Sequence, residues 1–162
     1  MSPTGTISTS IVNSLYCRRY KYPGVGSNQT DTLATYLASY ESLVEVGIGS
    51  RHAVAKQLAE RGCSIIATDI TAQSLPPDIT FVCDDLTDPT NTHYENAEAL
   101  YFLRCPPELQ RPLCELGSDI NADVYFTTLG SDPAVVPVTR TQIPGTTLFQ
   151  YRDNNTLAND DV

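Results

Sequence analysis

Two glycines and two carboxylates occur at a spacing that could hold a polar ligand. Gly47 and Gly49 follow a short apolar strand, Leu43–Val46, in which Glu45 is the one charged residue. Because glycine lacks Cβ, the backbone can turn sharply at these positions and approach a bound molecule closely. Asp69 follows Gly49 by 20 residues, about where a ribose-binding acid is expected after such a turn. The pattern predicts a nucleotide-type site.

The residues after the turn predict the elements that would position this site. Ala53–Arg61 has helical periodicity, with Val54 and Leu58 on one face, and Gly62 suits the end of that helix. The first turn of the helix directs free N–H groups and the positive end of its dipole at the glycine turn. The apolar run that follows reaches Asp69 and completes a strand–turn–helix–strand unit.

The glycine motif is incomplete for a dinucleotide-binding turn. In a G-x-G-x-x-G pattern the third glycine would fall at His52. A histidine there keeps the helix from packing as closely against the strand. A Rossmann-like scaffold that has lost its ligand therefore stays open as an alternative.

Alternating strands and helices continue through the chain and predict its fold class. We expect an α/β protein, a Rossmann-like three-layer αβα sandwich with a mostly parallel sheet and a C-terminal antiparallel strand pair. The further expected elements are helix 31–40, strand 79–83, a short helix 91–98, strand 99–103, helix 108–116, strand 123–129, and the strand pair 135–140 and 146–152. Pro112 is expected to shorten or kink the helix that contains it.

Charged residues follow the third and fourth predicted strands. Asp84 and Asp85 end the third, and Arg104 ends the fourth. Ligands of open α/β sheets bind at the carboxyl ends of strands, so these residues are candidate neighbours of the glycine turn. Two alternatives stay open: the aspartates serve turn or capping chemistry, and Arg104 forms an ion pair with Asp84, Asp85 or Glu108. Arg104 cannot accept a hydrogen bond, but it can hold a phosphate or carboxylate.

The turn resembles that of class I S-adenosylmethionine-dependent methyltransferases, which have a D/E-x-G-x-G pattern and an acid at the end of the second strand. Here these are Glu45, Gly47 and Gly49, followed by Asp69. The resemblance implies that Asp69 accepts hydrogen bonds from ribose hydroxyls and that Asp84, with Asp85 beside it, lies near the adenine.

Three segments, 44–49, 84–89 and 100–109, resemble an uncharacterised family of archaeal Rossmann-like proteins over residues 31–152. Phe102 and Cys105 depart from that family, which often has serine and proline there. Arg104, Pro106 and Pro107 stand where amino-methyltransferases place an Asn/Asp-Pro-Pro-aromatic motif, which implies a substrate region.

The resemblance implies a nucleoside- or nucleotide-binding protein whose cofactor is S-adenosylmethionine and whose candidate activity is methyl transfer to an unknown substrate. The chain has no obvious catalytic base or separate substrate domain. Two other functions remain open: an NAD(P)-type regulatory module, with NAD as the ligand, and a non-catalytic scaffold that acts through a partner.

Composition limits the remaining classes. The 162 residues carry a net charge of −9 with only two lysines, Lys21 and Lys56. Such an acidic surface suits a high-salt cytoplasm and argues against nucleic-acid binding. No apolar run is long enough to span a membrane. We therefore expect a cytoplasmic protein of a halophilic archaeon that binds a small-molecule nucleoside.

The cysteines, the histidines and the two ends of the chain complete the expectations. The spacing of the five cysteines suggests no disulfide framework or metal site. Cys63 and Cys83 are expected in the core, and Cys105 is a spacer or a reactive thiol. His52 is expected on a helix surface, with contact to a ligand as the alternative. We expect three regions: an N-terminal extension, 1–28, a Rossmann-like domain, 29–152, and an acidic tail, 153–162.

Overall fold

A computed structural model describes residues 28–152 of the chain. The predicted N-terminal extension apart from Asn28, in which residues 11–22 are expected to form a short helix, and the predicted acidic tail lie outside these residues. The helices are α1 (Gln29–Leu37), α2 (Ala53–Glu60) and α3 (Pro107–Ile120), with one 3₁₀ turn at Asn91–His93. The strands are β1 (Ser42–Val46), β2 (Ser64–Asp69), β3 (Thr80–Cys83), β4 (Ala99–Phe102), β5 (Asp123–Phe126), β6 (Val138–Ile143) and β7 (Thr146–Tyr151).

The strands form one mixed sheet in the order β3-β2-β1-β4-β5-β7-β6. The first five pair in parallel, whereas β7 lies antiparallel between β5 and β6. This confirms the predicted α/β class with its C-terminal antiparallel pair. The standard dinucleotide-binding sheet has the order 3-2-1-4-5-6, so the inserted antiparallel strand distinguishes this sheet from it.

Two apolar cores lie on opposite faces of the sheet because successive strand residues point to opposite sides. In β1, Leu43 belongs to the core under α1 and α2, and Val44 belongs to the core under α3. Glu45 follows the Leu43 side of the strand and therefore lies under α1 and α2. The two helical layers and the sheet between them confirm the three-layer architecture.

Helix boundaries differ from the sequence prediction at three places. Helix α1 begins two residues early because the Asn28 side chain caps it by accepting from the Asp31 N–H at 2.8 Å. Only a 3₁₀ turn forms where a helix was expected over 91–98. Helix α3 continues through Pro112, because burial of Leu113, Cys114, Leu116 and Gly117 outweighs the cost of an internal proline, about 3 kcal/mol.

The two cysteines expected in the core differ in exposure. Cys63 is buried, as predicted, but Cys83 is exposed and directs its thiol at the Ile70 carbonyl oxygen, 3.4 Å away. The prediction for Cys83 is wrong because β3 is an edge strand, which pairs on one side only. No helix among residues 28–152 is long and apolar enough to cross a membrane.

Candidate functional site

The glycine turn after β1 is hydrogen-bonded to the end of the neighbouring strand, β2. Gly47 and Gly49 both adopt the left-handed region, with φ of 66° and 57°, where glycine is favoured. Between them, the Ile48 N–H donates to the Thr68 carbonyl oxygen at 3.1 Å. The Gly49 N–H donates to the Asp69 carboxylate at 2.8 Å. The second oxygen of Asp69 accepts from the Thr71 N–H at 3.0 Å, so this carboxylate organises the end of β2 as well as the turn.

The two glycines face different surroundings. A Cβ on Gly47 would lie 2.5 Å from the Phe102 ring, so this side of the turn is filled by the protein itself. A Cβ on Gly49 would have no heavy atom of the described residues within 4 Å. A ligand can therefore approach the turn closely at Gly49, whereas the Phe102 side is closed.

Glu45 is the buried acid of the site. Its side chain is 2% exposed, and burial raises the pKa of its carboxyl to about 8. The nearby Tyr101 hydroxyl lowers the pKa and so offsets part of this shift, although the two groups are not aligned for a well-formed hydrogen bond. Within residues 28–152, the Oε1 atom of Glu45 and the Tyr101 hydroxyl have no hydrogen-bond partner. A buried polar atom without a partner is costly, and here it borders an open cavity.

A cavity of about 730 Å³ adjoins the glycine turn on the side of α1 and α2. Its size falls in the range of small-molecule sites. Three of the predicted site residues, Glu45, Gly49 and Arg104, line it. The other lining residues are Gln29, Thr30, Leu33, Ile48, Ser50, Arg51, His52, Ala53, Val54, Lys56, Leu103 and Thr127.

Arg104 lies at the cavity mouth and is exposed. Its backbone adopts φ of 60°, and its N–H donates to the Thr127 Oγ1 at 2.9 Å. Among the described residues, no ion pair joins Arg104 to Asp84, Asp85 or Glu108. The structural-bridge alternative therefore finds no support, and the guanidinium remains available to a ligand. Pro106 occupies the N-cap position of α3 without a side-chain cap bond, and Pro107 is the first residue of the helix; neither lines the cavity.

Asp84 and Asp85 lie outside the cavity lining and are engaged in local bonds. Asp84 accepts from the Tyr94 hydroxyl at 2.6 Å and from the Thr90 N–H at 3.2 Å. Burial, followed by the bond to Asp84, raises the pKa of Tyr94 above its usual range, so Tyr94 is the donor. Asp85 accepts from both the N–H and the hydroxyl of Thr87, a turn motif that lowers the pKa of its carboxyl.

Cys105 and His52 have different surroundings. Cys105 is fully buried, and burial raises the pKa of its thiol to about 12. This environment fits a spacer rather than a reactive thiolate. His52 occupies the N-cap position of α2 without a side-chain cap bond and lines the cavity. No group of three or more metal-ligating side chains occurs in the part of the chain that the structure describes.

Sequence reasoning missed several cavity residues. Arg51 and Lys56 come from the start of α2, and Thr127 follows β5. Gln29 and Thr30 come from the first turn of α1. The position of Arg51 and Lys56 beside the predicted helix start was visible in the sequence. Nothing in the sequence indicated that α1 would close the far wall.

The fold is similar to that of solved S-adenosylmethionine-dependent methyltransferases. An RNA methyltransferase from Salinibacter ruber, solved with S-adenosyl-L-homocysteine, matches 78% of this chain and 92% of its own, with a TM-score of 0.54 and 14% identity. A magnesium protoporphyrin IX methyltransferase from Synechocystis, solved with bound S-adenosylmethionine, matches 90% and 94%, with a TM-score of 0.53 and 14% identity. At this level of identity the likeness shows the fold alone.

The chain belongs to the uncharacterised protein family UPF0146, whose model matches residues 28–154. A UPF0146 protein of Halobacterium salinarum is 50% identical over 126 residues, which cover 77% of this chain and 98% of the relative. One from Archaeoglobus fulgidus is 40% identical over 102 residues, covering 62% and 78%. These findings confirm the resemblance to an archaeal family with a methyltransferase-like fold, and the Halobacterium relative agrees with the high-salt interpretation of the composition.

Proposed function

We propose that this protein binds S-adenosylmethionine, or a closely related adenosyl nucleoside, at the cavity beside the glycine turn. The observation that carries the proposal is the buried Glu45 carboxyl, whose Oε1 has no partner within residues 28–152 and borders that cavity. Burial penalises the charged form of this acid. A cationic ligand group beside it would offset that penalty and supply the missing hydrogen-bond donor. The open face of Gly49 beside it gives room for close contact.

Residues in and near the glycine turn would each bind a different part of the ligand. Glu45 would take the ammonium group of the methionine part. Asp69 would accept from the ribose hydroxyls with the lone pairs that its bonds to Gly49 and Thr71 leave free. Asp84 and Asp85 lie outside the cavity lining, so they would reach the adenine only if it extends beyond the cavity towards the end of β3.

When bound, S-adenosylmethionine supplies an electrophilic methyl group. The residues of this chain would orient the two reactants and exclude water between them. Such positioning can supply much of the rate enhancement when the accepting atom is already a good nucleophile. We infer that methyl transfer is the activity to test, on an acceptor that reaches the cavity at Arg104.

Calorimetric titration of the full chain in 2 M KCl tests the proposal. The ligands are S-adenosylmethionine, S-adenosylhomocysteine, NAD and ATP. We expect the two adenosyl compounds to bind more tightly than NAD or ATP. Binding of NAD alone would indicate a regulatory nucleotide module, and binding of none of the four would favour a scaffold. Either result overturns the proposal.

Proton release gives a sharper readout of Glu45. Because the carboxyl is largely protonated near pH 7, a ligand ammonium that pairs with it should expel a proton into the buffer. The binding enthalpy of S-adenosylhomocysteine should therefore depend on the ionisation enthalpy of the buffer. Glu45→Gln should abolish that dependence and weaken binding about tenfold or more. Equal buffer dependence in both proteins would exclude Glu45 as the ammonium partner.

A further inference from the structure

Three cationic side chains meet at the cavity from different places in the chain. Arg51 precedes α2, Lys56 lies in its first turn, and Arg104 follows β4. All three are exposed. Within residues 28–152 none of their charged groups has an ion pair or a side-chain hydrogen bond. Their charges are therefore available to a ligand.

This grouping runs against the charge of the protein as a whole. The chain carries 19 acidic residues against 10 lysines and arginines, and exposed cations on such a surface would ordinarily find carboxylate partners. Of the cavity-lining residues within 28–152, Glu45 is the single acid. Burial keeps its carboxyl largely uncharged at neutral pH, so it does little to neutralise the three cations.

The backbone around the cations favours an anion as well. Helix α2 begins at Ala53, and His52 before it provides no side-chain cap, so N–H groups of the first turn remain directed at the cavity. Elsewhere in the lining, the bond from the Arg104 N–H to Thr127 fixes the main chain that carries the guanidinium. A third and independent sign of a ligand is the unpartnered, buried Oε1 of Glu45 at the same cavity.

We propose that Arg51, Lys56 and Arg104 bind an oxyanion group, a phosphate or a carboxylate, of the substrate that occupies this cavity. The inference names a substrate class for the site and in that respect rests on the proposed function. Arg104 can hold two oxygens with its planar fork, and Lys56 adds a compact charge. Glu45 lies deeper and takes the cationic end of the adenosyl ligand, so the two ligands meet with complementary charges.

Phosphate and acetate are the probes, titrated into the full chain in 2 M KCl. At this salt concentration the long-range attraction is screened, so direct contacts dominate the binding. The variants are Arg104→Gln and Lys56→Gln. The matched control is Arg111→Gln, which removes an exposed arginine on α3, outside the cavity lining. Far-ultraviolet circular dichroism and thermal unfolding verify that each variant is folded.

We expect at least one probe to bind with millimolar affinity and each cavity variant to weaken it about tenfold, with the control unchanged. Tighter binding of phosphate would indicate a phosphorylated substrate, and tighter binding of acetate a carboxylate. No binding of either probe, or equal affinity in all variants, would overturn the inference.

S-adenosylhomocysteine binding by the unaltered protein separates the two proposals. If it binds while the oxyanions do not, the oxyanion site fails and the proposed function stands. If the oxyanions bind through Arg104 and Lys56 while no adenosyl compound binds, the proposed function fails and the oxyanion site stands.

Discussion

The Gly49 N–H donates to the Asp69 carboxylate at 2.8 Å, which joins the glycine turn to the end of the neighbouring strand. These two residues are 20 positions apart in the sequence and adjacent in space. Both carboxylate oxygens accept backbone N–H groups, from Gly49 and from Thr71, so this side chain sets the shape of the turn. Under the proposed function it would also accept from the ribose.

Substitution of Asp69 tests these two roles together. Asp69→Asn keeps an acceptor for the Gly49 N–H but loses the charge, whereas Asp69→Ala loses both backbone bonds. We expect Asp69→Asn to weaken S-adenosylhomocysteine binding by about 10- to 100-fold, as for the loss of a hydrogen bond to a charged group. The alanine variant should also unfold at lower temperature. Calorimetry and thermal unfolding measure the two effects.

Asp119→Asn is the control for Asp69, since it removes an exposed carboxylate of α3 far from the turn along the chain. Its affinity for the nucleoside should equal that of the unaltered protein. If Asp69→Asn binds as tightly as this control, Asp69 does not contact the ribose.

Salt should stabilise the protein by reducing repulsion between its carboxylates. The net charge is −9, and 2 M KCl reduces the screening length to a few ångströms. We expect the free energy of unfolding to rise by about 1–3 kcal/mol between 0.1 and 2 M KCl, or ~3 °C in Tm for each kcal/mol. Urea unfolding at each concentration measures it.

Salt also strengthens apolar burial in general, so a charge-reduced variant separates the causes. Asp78, Glu95 and Asp119 are exposed, and replacing them with Asn or Gln removes three negative charges. If repulsion is the cause, the variant should gain less from KCl than the original chain. Equal gains in both would contradict the electrostatic explanation.

The sequence predicted the sheet better than it predicted the cavity. The strands and α2 could be identified because apolar residues with strand or helix periodicity are bounded by glycines and prolines. Glu45 could be placed next to the turn because it lies two residues before Gly47 in the sequence. The exposure of Cys83 could not, because a short apolar strand has the same pattern at the edge of a sheet as at its centre.

The cavity walls depend on long-range packing. Arg51 and Lys56 meet Arg104 only because β4 lies beside β1, a neighbour relationship set by the crossover connections. Phe102 covers Gly47 through the same pairing. The sequence contains each residue but not the distance between them, so it indicated a ligand site without its basic wall.

Gly47 and Gly49 give a matched pair of alanine substitutions. Both have positive φ, so alanine costs about 1–2 kcal/mol at either position. At Gly47 the new Cβ also meets the Phe102 ring at 2.5 Å, whereas at Gly49 it meets no described atom within 4 Å. We expect Gly47→Ala to be the more destabilising by about 1–3 kcal/mol.

The double variant Gly47→Ala with Phe102→Ser identifies the cause of that difference. Removing the ring should recover most of the extra loss relative to Phe102→Ser alone, as urea unfolding would show. If the loss at Gly47 is the same with and without the ring, the clash is not its source.

Glu45 should give the stability of the protein a distinctive dependence on pH. Its pKa is raised to about 8 in the folded chain, above the ordinary value near 4.3 of the unfolded chain. Between these values the folded state binds more protons than the unfolded state, so this group makes stability fall as pH rises. The fall should approach about 1.4 kcal/mol per pH unit and end above pH 8.

Glu45→Gln keeps the shape of the side chain and removes its titration. The free energy of unfolding, measured in urea at fixed KCl from pH 5 to 8, should fall less steeply in this variant than in the original chain. The other titratable groups near Glu45 are Tyr101 on β4 and, around the cavity, His52, Arg51, Lys56 and Arg104. His52→Gln, which replaces the histidine of the cavity lining, is the control and should retain the steep slope. Parallel curves for Glu45→Gln and the original chain would show that Glu45 is charged throughout this range.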